Sequence, residues 1–157
     1  MTKLVFCGQA PSRVGDGRAF SGPSGRRLAA LLMLRDYEHL AAQCCLINIF
    51  DEPQERRDAR GDYFDEDKAR RKARHLMTAW AASEERVVVV ACGHAVYRAL
   101  TQRKGEFFKG VRISGVEVWC FPHPSGASSF WNFRKNVMLS SNFLNRLVKR
   151  SGIVMAR

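Results

Sequence analysis

The chain has 157 residues and contains no run of about 18 apolar residues, so no membrane-spanning helix is expected. The apolar run near its start, residues 3–7 (KLVFC), is too short for the core of a secretory signal, and a cytoplasmic protein is expected. Its five cysteines form no Cys-x-x-Cys pair and no Cys/His group with zinc spacing, which argues against a structural metal and for a reduced compartment. Internal repeats and low-complexity segments are absent, which excludes solenoids and arrays. Acidic residues are scarce: 15 Asp and Glu stand against 26 Lys and Arg, a net charge of +11. That imbalance makes a polyanion the leading partner, with a basic membrane-surface protein as competitor. Hydrophobic residues at 46% and charged residues at 26% match a folded globular chain rather than a disordered one. The length suits a single domain over residues 1–157.

What is present is an alternation of strands and helices. Residues 3–7 read as a buried strand ending at Gly8, followed by a loop rich in Gly, Ser and Pro from Gln9 to Gly25. Leu28, Leu31 and Leu32 then mark a helix with Ser24 as its expected N-cap. Residues 44–49 (CCLINI) form a second buried strand, and the charged stretch 50–64 reads as a loop. Ala69, Ala73, Leu76 and Trp80 repeat at helical spacing, predicting a helix over about 65–83 whose acidic start suits its dipole. Residues 87–91 are apolar throughout and mostly β-branched, the signature of a central strand. A helix over about 94–102 follows, then strands at 111–114 and 116–121 around Gly115, then a helix over about 132–150 with Phe133, Val137, Leu144, Leu147 and Val148 on one face. The fold class expected is a three-layer α/β/α sandwich around a mainly parallel, four-stranded sheet.

In such sheets ligands bind beyond the C-terminal strand ends. Four segments fall there: Gly8-Gln9-Ala10-Pro11-Ser12, Ile47-Asn48-Ile49, Cys92-Gly93-His94-Ala95 and His123-Pro124-Ser125-Gly126. Each alone is a common turn or cap sequence; their order and placement are more specific.

Together these segments resemble the uracil-DNA glycosylase superfamily. GQAPS is similar to its first motif, GDGRAFSGPSGRRLAALL to the loop and helix that follow, VVVVACGHAVYRAL to its central strand and helix, and HPSGASS to its second motif. The resemblance spreads from about Lys3 to Arg150. It implies an enzyme that flips a base out of DNA, duplex or single-stranded, and cuts its N-glycosidic bond, acting as a monomer without a cofactor. It implies that His123 donates a hydrogen bond to the base O2 as charge builds there. It implies that Phe20 stacks on the flipped base and that Asn48 reads its Watson–Crick edge, since an amide offers the donor and acceptor that uracil needs. Ala10 and Ser12 join these in the base-contacting set. Ser12 stands where strict uracil enzymes carry a Tyr that blocks a 5-methyl group, so 5-substituted uracils are expected to fit.

Departures from the pattern bear on catalysis. Gln9 and Ala10 occupy positions where several branches carry a carboxylate or amide that holds water. Gln9 is no general base, though its amide or backbone suits positioning a water. Asp16 is the nearest loop carboxylate: it is either the substitute acid or a turn residue in Gly15-Asp16-Gly17. Ser21, Ser24 and Ser125 are candidates for holding phosphates, and Arg13, Arg18, Arg26, Lys104, Lys109, Arg134 and Lys135 for the electrostatic footprint. Ala127, near the wedge position that fills the gap left by the base, is small. Phe130 or Trp131 is the substitute, unless both pack under the last helix. The cysteine spacing does not match the branch holding an iron–sulfur cluster, and no His lies between Gln9 and Leu34 to trap the sugar covalently. A base reader that has lost catalysis is the alternative, and a hydrolase of free nucleotides a third reading that the +11 charge disfavours.

Overall fold

The computed structural model describes residues 1–156 except Glu55, Ala59, Arg60, Tyr63, Gly126 and Ala127, with backbone alone for residues 56–58, 61 and 62. Strand β1 (Thr2–Gly8) is followed by helices α1 (Pro23–Leu31) and α2 (Tyr37–Gln43), strand β2 (Cys45–Asn48) and a short ribbon of β3 (Arg56–Asp58) and β4 (Gly61–Asp62). Then come α3 (Glu66–Ala81), β5 (Arg86–Cys92), α4 (His94–Thr101), β6 (Gly110–Ile113), β7 (Val116–Phe121), a 3-10 turn (Ser129–Asn132) and α5 (Arg134–Arg150).

The main sheet has the order β2-β1-β5-β7-β6. Its first four strands are parallel, and β6 pairs antiparallel with β7. The sheet therefore has five strands, not four. The extra edge strand is a hairpin product: Ser114 (φ 49°) and Gly115 (φ 83°) are both left-handed, the geometry of a two-residue hairpin turn.

Why the central strands are apolar on both sides is visible in how their residues divide. Leu4, Phe6, Val88, Val90 and Cys92 face one core with α1, α2 and α5. Val5, Cys7, Val87, Val89 and Ala91 face the other with α3 and α4. β1 and β5 thus have no solvent face, and each buried aliphatic side chain contributes about 1.5–3 kcal/mol. The layers are α1/α2/α5, sheet, α3/α4.

Three local expectations are corrected. The N-cap of α1 is Gly22, with Pro23 in the first turn, so Ser24 lies inside the helix. Residues 50–64 contain the β3–β4 ribbon rather than loop alone. Cys44 caps the C-terminus of α2, a helix the sequence reading did not separate, and β2 begins at Cys45. The Asp65 side chain caps α3 by accepting the Lys68 N–H at 3.0 Å, in line with the acidic start read from the sequence.

Candidate active site

The strand order sets where a ligand can sit. From β1 the chain moves outward to β2, then crosses back to β5 on the other side of β1. The switch point lies between the C-terminal ends of β1 and β5, where the following loops diverge and leave a crevice. Gly8 ends β1 and Gly93 follows β5. Asn48 ends β2, in register with Gly8, and His123 follows β7 two residues after Phe121. Asn48 and His123 thus stand at the same end of the sheet, three strand spacings or about 14 Å of backbone apart.

Gly8 brings two of the candidates together. A methyl group there would lie 2.5 Å from Asn48 Oδ1 and 2.8 Å from Phe20 Cζ, so both side chains converge on its bare Cα. The Asn48 side chain is half-buried and makes no hydrogen bond with a described residue. Phe20 is only 6% exposed and packs into the α1/α2/α5 core, with its ring edge at Gly8. Its backbone is left-handed (φ 61°), rare for a bulky residue and costing about 1–3 kcal/mol. The surroundings enforce it: the Phe20 carbonyl lies against Gly25 of α1, where any Cβ would collide. The neighbouring Ala19 carbonyl accepts the Tyr37 hydroxyl at 2.8 Å.

On the opposite side, Gly93 adopts φ 104°, ψ 152°, a region open essentially to glycine. Its N–H donates to the Phe121 carbonyl at 2.8 Å, tying the end of β5 to the end of β7. A methyl at Gly93 would sit 3.6 Å from His123 Cδ2, in ordinary contact. The half-buried His123 accepts the Ser125 N–H on Nδ1 at 3.1 Å. That bond goes with the neutral ring carrying its proton on Nε2, which makes Nε2 a donor. The His123 carbonyl accepts the Trp131 indole N–H at 2.8 Å.

Arg27 fastens this loop and was missed from sequence. It donates to the carbonyls of Ser125 at 3.2 Å and Pro124 at 3.5 Å, and its guanidinium stacks 4.9 Å from the Trp131 ring. The signal was its helical spacing to the buried Leu31, four residues on, which turns Arg27 inward while Arg26 is exposed.

The loop candidates are held differently. Asp16 accepts the Arg18 N–H at 3.0 Å and the Arg18 side chain at 2.8 Å, and Arg18 also grips Glu38 at 2.7 Å. Hydrogen bonds from Arg18 hold the Asp16 carboxyl well below the usual carboxylate range. So tied and so acidic, it suits the turn better than proton abstraction. Ser21 Oγ accepts the Asp16 N–H at 3.1 Å, closing the same turn. Ser12 Oγ accepts the Val14 N–H at 3.1 Å and lies against Gly22. The Gln9 carbonyl extends the β1–β2 ladder by accepting the Phe50 N–H at 2.9 Å, and Ala10 packs against the α3/α4 core.

Of the wedge candidates, Trp131 is buried and Phe130 packs edge-on to it and to Phe107. Ala127 lies outside the described residues. Among the described residues the exposed aromatic is Phe133, 63% accessible, which precedes exposed Arg134 and Lys135 in an α5 first turn without an acidic residue. The expectation of packing under the last helix thus fits Trp131, while Phe133, expected on the apolar face of that helix, instead precedes it and is exposed.

The arrangement defines an α/β protein with a topological switch point between β1 and β5, and with an amide, an aromatic edge and a hydrogen-bonding imidazole near the strand ends around it. The chain belongs to the uracil DNA glycosylase superfamily, whose family model matches residues 1–150. No individual curated protein matches it. Membership supports a DNA-glycosylase type of function in general terms, and proteins of this family act on DNA. No helix among the described residues is long and apolar enough to cross a membrane.

Proposed function

We propose that the protein hydrolyses the N-glycosidic bond of uracil or a 5-substituted uracil flipped out of DNA, acting as a monofunctional glycosylase. What carries this reading is the convergence of Asn48 and Phe20 on Gly8, facing His123 across the strand ends. Asn48 pairs its amide with N3–H and O4, Phe20 offers a ring edge to the base, and His123 Nε2–H stabilises negative charge growing on O2. Water attacks C1′ while the bond to N1 breaks; the base leaves as the anion, and the water proton ends on base or solvent. Gln9 is the residue left to orient that water, while Ser12 leaves space beside C5. Ser24, Ser125, Arg134 and Lys135 hold the DNA backbone, and Phe133 fills the gap left by the flipped base.

One observation favours a second reading, a base-reading protein with little or no catalysis. The first motif carries no carboxylate, and Asp16 is engaged by Arg18. The experiment is base release from single- and double-stranded oligonucleotides carrying uracil, thymine, 5-hydroxymethyluracil or cytosine, read by alkali cleavage. Release that vanishes in His123→Ala is the expected result. Tight, salt-sensitive binding with no release from any of the four would establish the reader instead.

A further inference from the structure

A second concavity lies at the other end of the sheet. This open groove of about 690 Å³ lies between α3 from Arg70 onward, the end of α4 and the tip of the β6–β7 hairpin. All three features sit where the parallel strands begin: α3 ends before β5, α4 has run back from the end of β5, and the hairpin turn precedes β7. The groove therefore opens away from Asn48 and His123, and a partner there leaves the cleft accessible.

Its chemistry is two-sided. Met77, Ala99, Leu100 and Ile113 contribute apolar lining, and Arg70 and Arg74 contribute positive charge without any carboxylate in the lining. Both arginines are exposed, and neither makes an ion pair with a described residue. They are four residues apart on α3, about 6 Å along its axis. That spacing repeats the distance between carboxylates one turn apart on an opposing helix. No aromatic ring lines the groove for bases to stack on, so nucleic acid is the poorer fit. Met77 adds an adaptable apolar surface of the kind used in helix-binding grooves.

We propose that this groove docks an acidic amphipathic helix of a partner protein, its apolar face against Met77, Leu100 and Ile113 and its carboxylates on Arg70 and Arg74. The proposal does not depend on which base the cleft accepts. The test pans a display library of random peptides about 16 residues long against the full chain. Enriched peptides are expected to place Asp or Glu four residues apart beside apolar residues at helical spacing. Their binding should weaken at least about tenfold in Arg70→Glu/Arg74→Glu, and also in Thr78→Trp, which fills the groove without changing charge. Both sites are exposed, and circular dichroism checks that the variants fold. Peptides without an acidic bias, undiminished binding to either variant, or displacement by a single-stranded oligonucleotide would each overturn the proposal.

Discussion

His123 accepts, on Nδ1, the backbone N–H of Ser125 two residues further on, at 3.1 Å. This short-range bond orients the ring, and in the neutral tautomer that goes with it Nε2 carries the proton, as the proposed donation to a developing oxyanion requires. In the proposed function the ring serves as a donor and not as a base, which suits a site whose first motif lacks a carboxylate. Removing the donor in His123→Ala should lower single-turnover base release by about 10²–10³-fold while DNA affinity changes little. A parallel loss of affinity would instead indicate a binding residue.

Gly8→Ala tests the other side of the cleft. The added methyl would lie 2.5 Å from Asn48 Oδ1 and 2.8 Å from Phe20 Cζ, closer than real contacts permit. Overpacking of this kind costs about 1–3 kcal/mol, and here the displaced groups are the proposed base contacts. The expected outcome is a folded protein, by thermal melting, with at least about tenfold slower release. Unchanged release would mean that Asn48 and Phe20 do not contact the base.

Much of this geometry was legible in the chain. The apolar runs of β1, β2 and β5 gave the parallel sheet, and the sheet then placed Gly8, Asn48, Gly93 and His123 at one edge. Periodicity could not show what depends on side-chain pairing in space. Asp16 was ambiguous because only the fold brings Glu38 to Arg18 and completes that network. Arg27 was hidden because an arginine on a helix usually faces solvent, and here Trp131 and two carbonyls draw it inward. Phe133 looked like a core residue by its place in the apolar series of α5, but it precedes the helix and is exposed.

Glu117 is expected to carry a measurable share of stability. Its carboxylate, 8% exposed, accepts Arg86 at 2.8 Å, Arg112 at 3.4 Å and the Trp119 indole N–H at 2.8 Å, and is paired with Arg150. Burial works to raise its pKa, but the hydrogen bonds from Arg86 and Trp119 and the charge of Arg150 outweigh it, so it is lowered. A lowered folded-state pKa stabilises above the unfolded value, near 4.3, and the benefit is lost as pH falls through the folded value. Since the arginines are largely exposed, Glu117→Gln should cost about 1–3 kcal/mol at pH 7 in urea denaturation. The gap between wild type and variant should close on acidification below about pH 4.

The cysteines should divide by burial. Burial pushes the Cys7 and Cys44 thiols up to about 12 and Cys120 to about 11, and raises Cys92 well above its ordinary value. Cys45 is the partly exposed one of the five. Ellman titration of the native protein at pH 8 should therefore release one equivalent promptly and the other four only after denaturation.

Phe133 supplies the last expected outcome. An exposed phenyl ring ahead of Arg134 and Lys135 has no packing reason to be there, and it sits two residues from Trp131, whose indole holds the His123 carbonyl. In duplex DNA the flipped base leaves a gap in the stack, and unstacking costs a few kcal/mol unless something fills it. In a single strand there is no pairing to break and little to fill. Phe133→Ala should therefore slow release from a duplex by about tenfold or more and leave release from a single strand nearly unchanged. Arg134→Ala/Lys135→Ala should instead weaken both substrates and flatten the salt dependence, because those charges meet phosphates rather than bases. Equal losses on both substrates in Phe133→Ala would assign the ring to backbone positioning, and the gap would then have to be filled by the loop that follows His123.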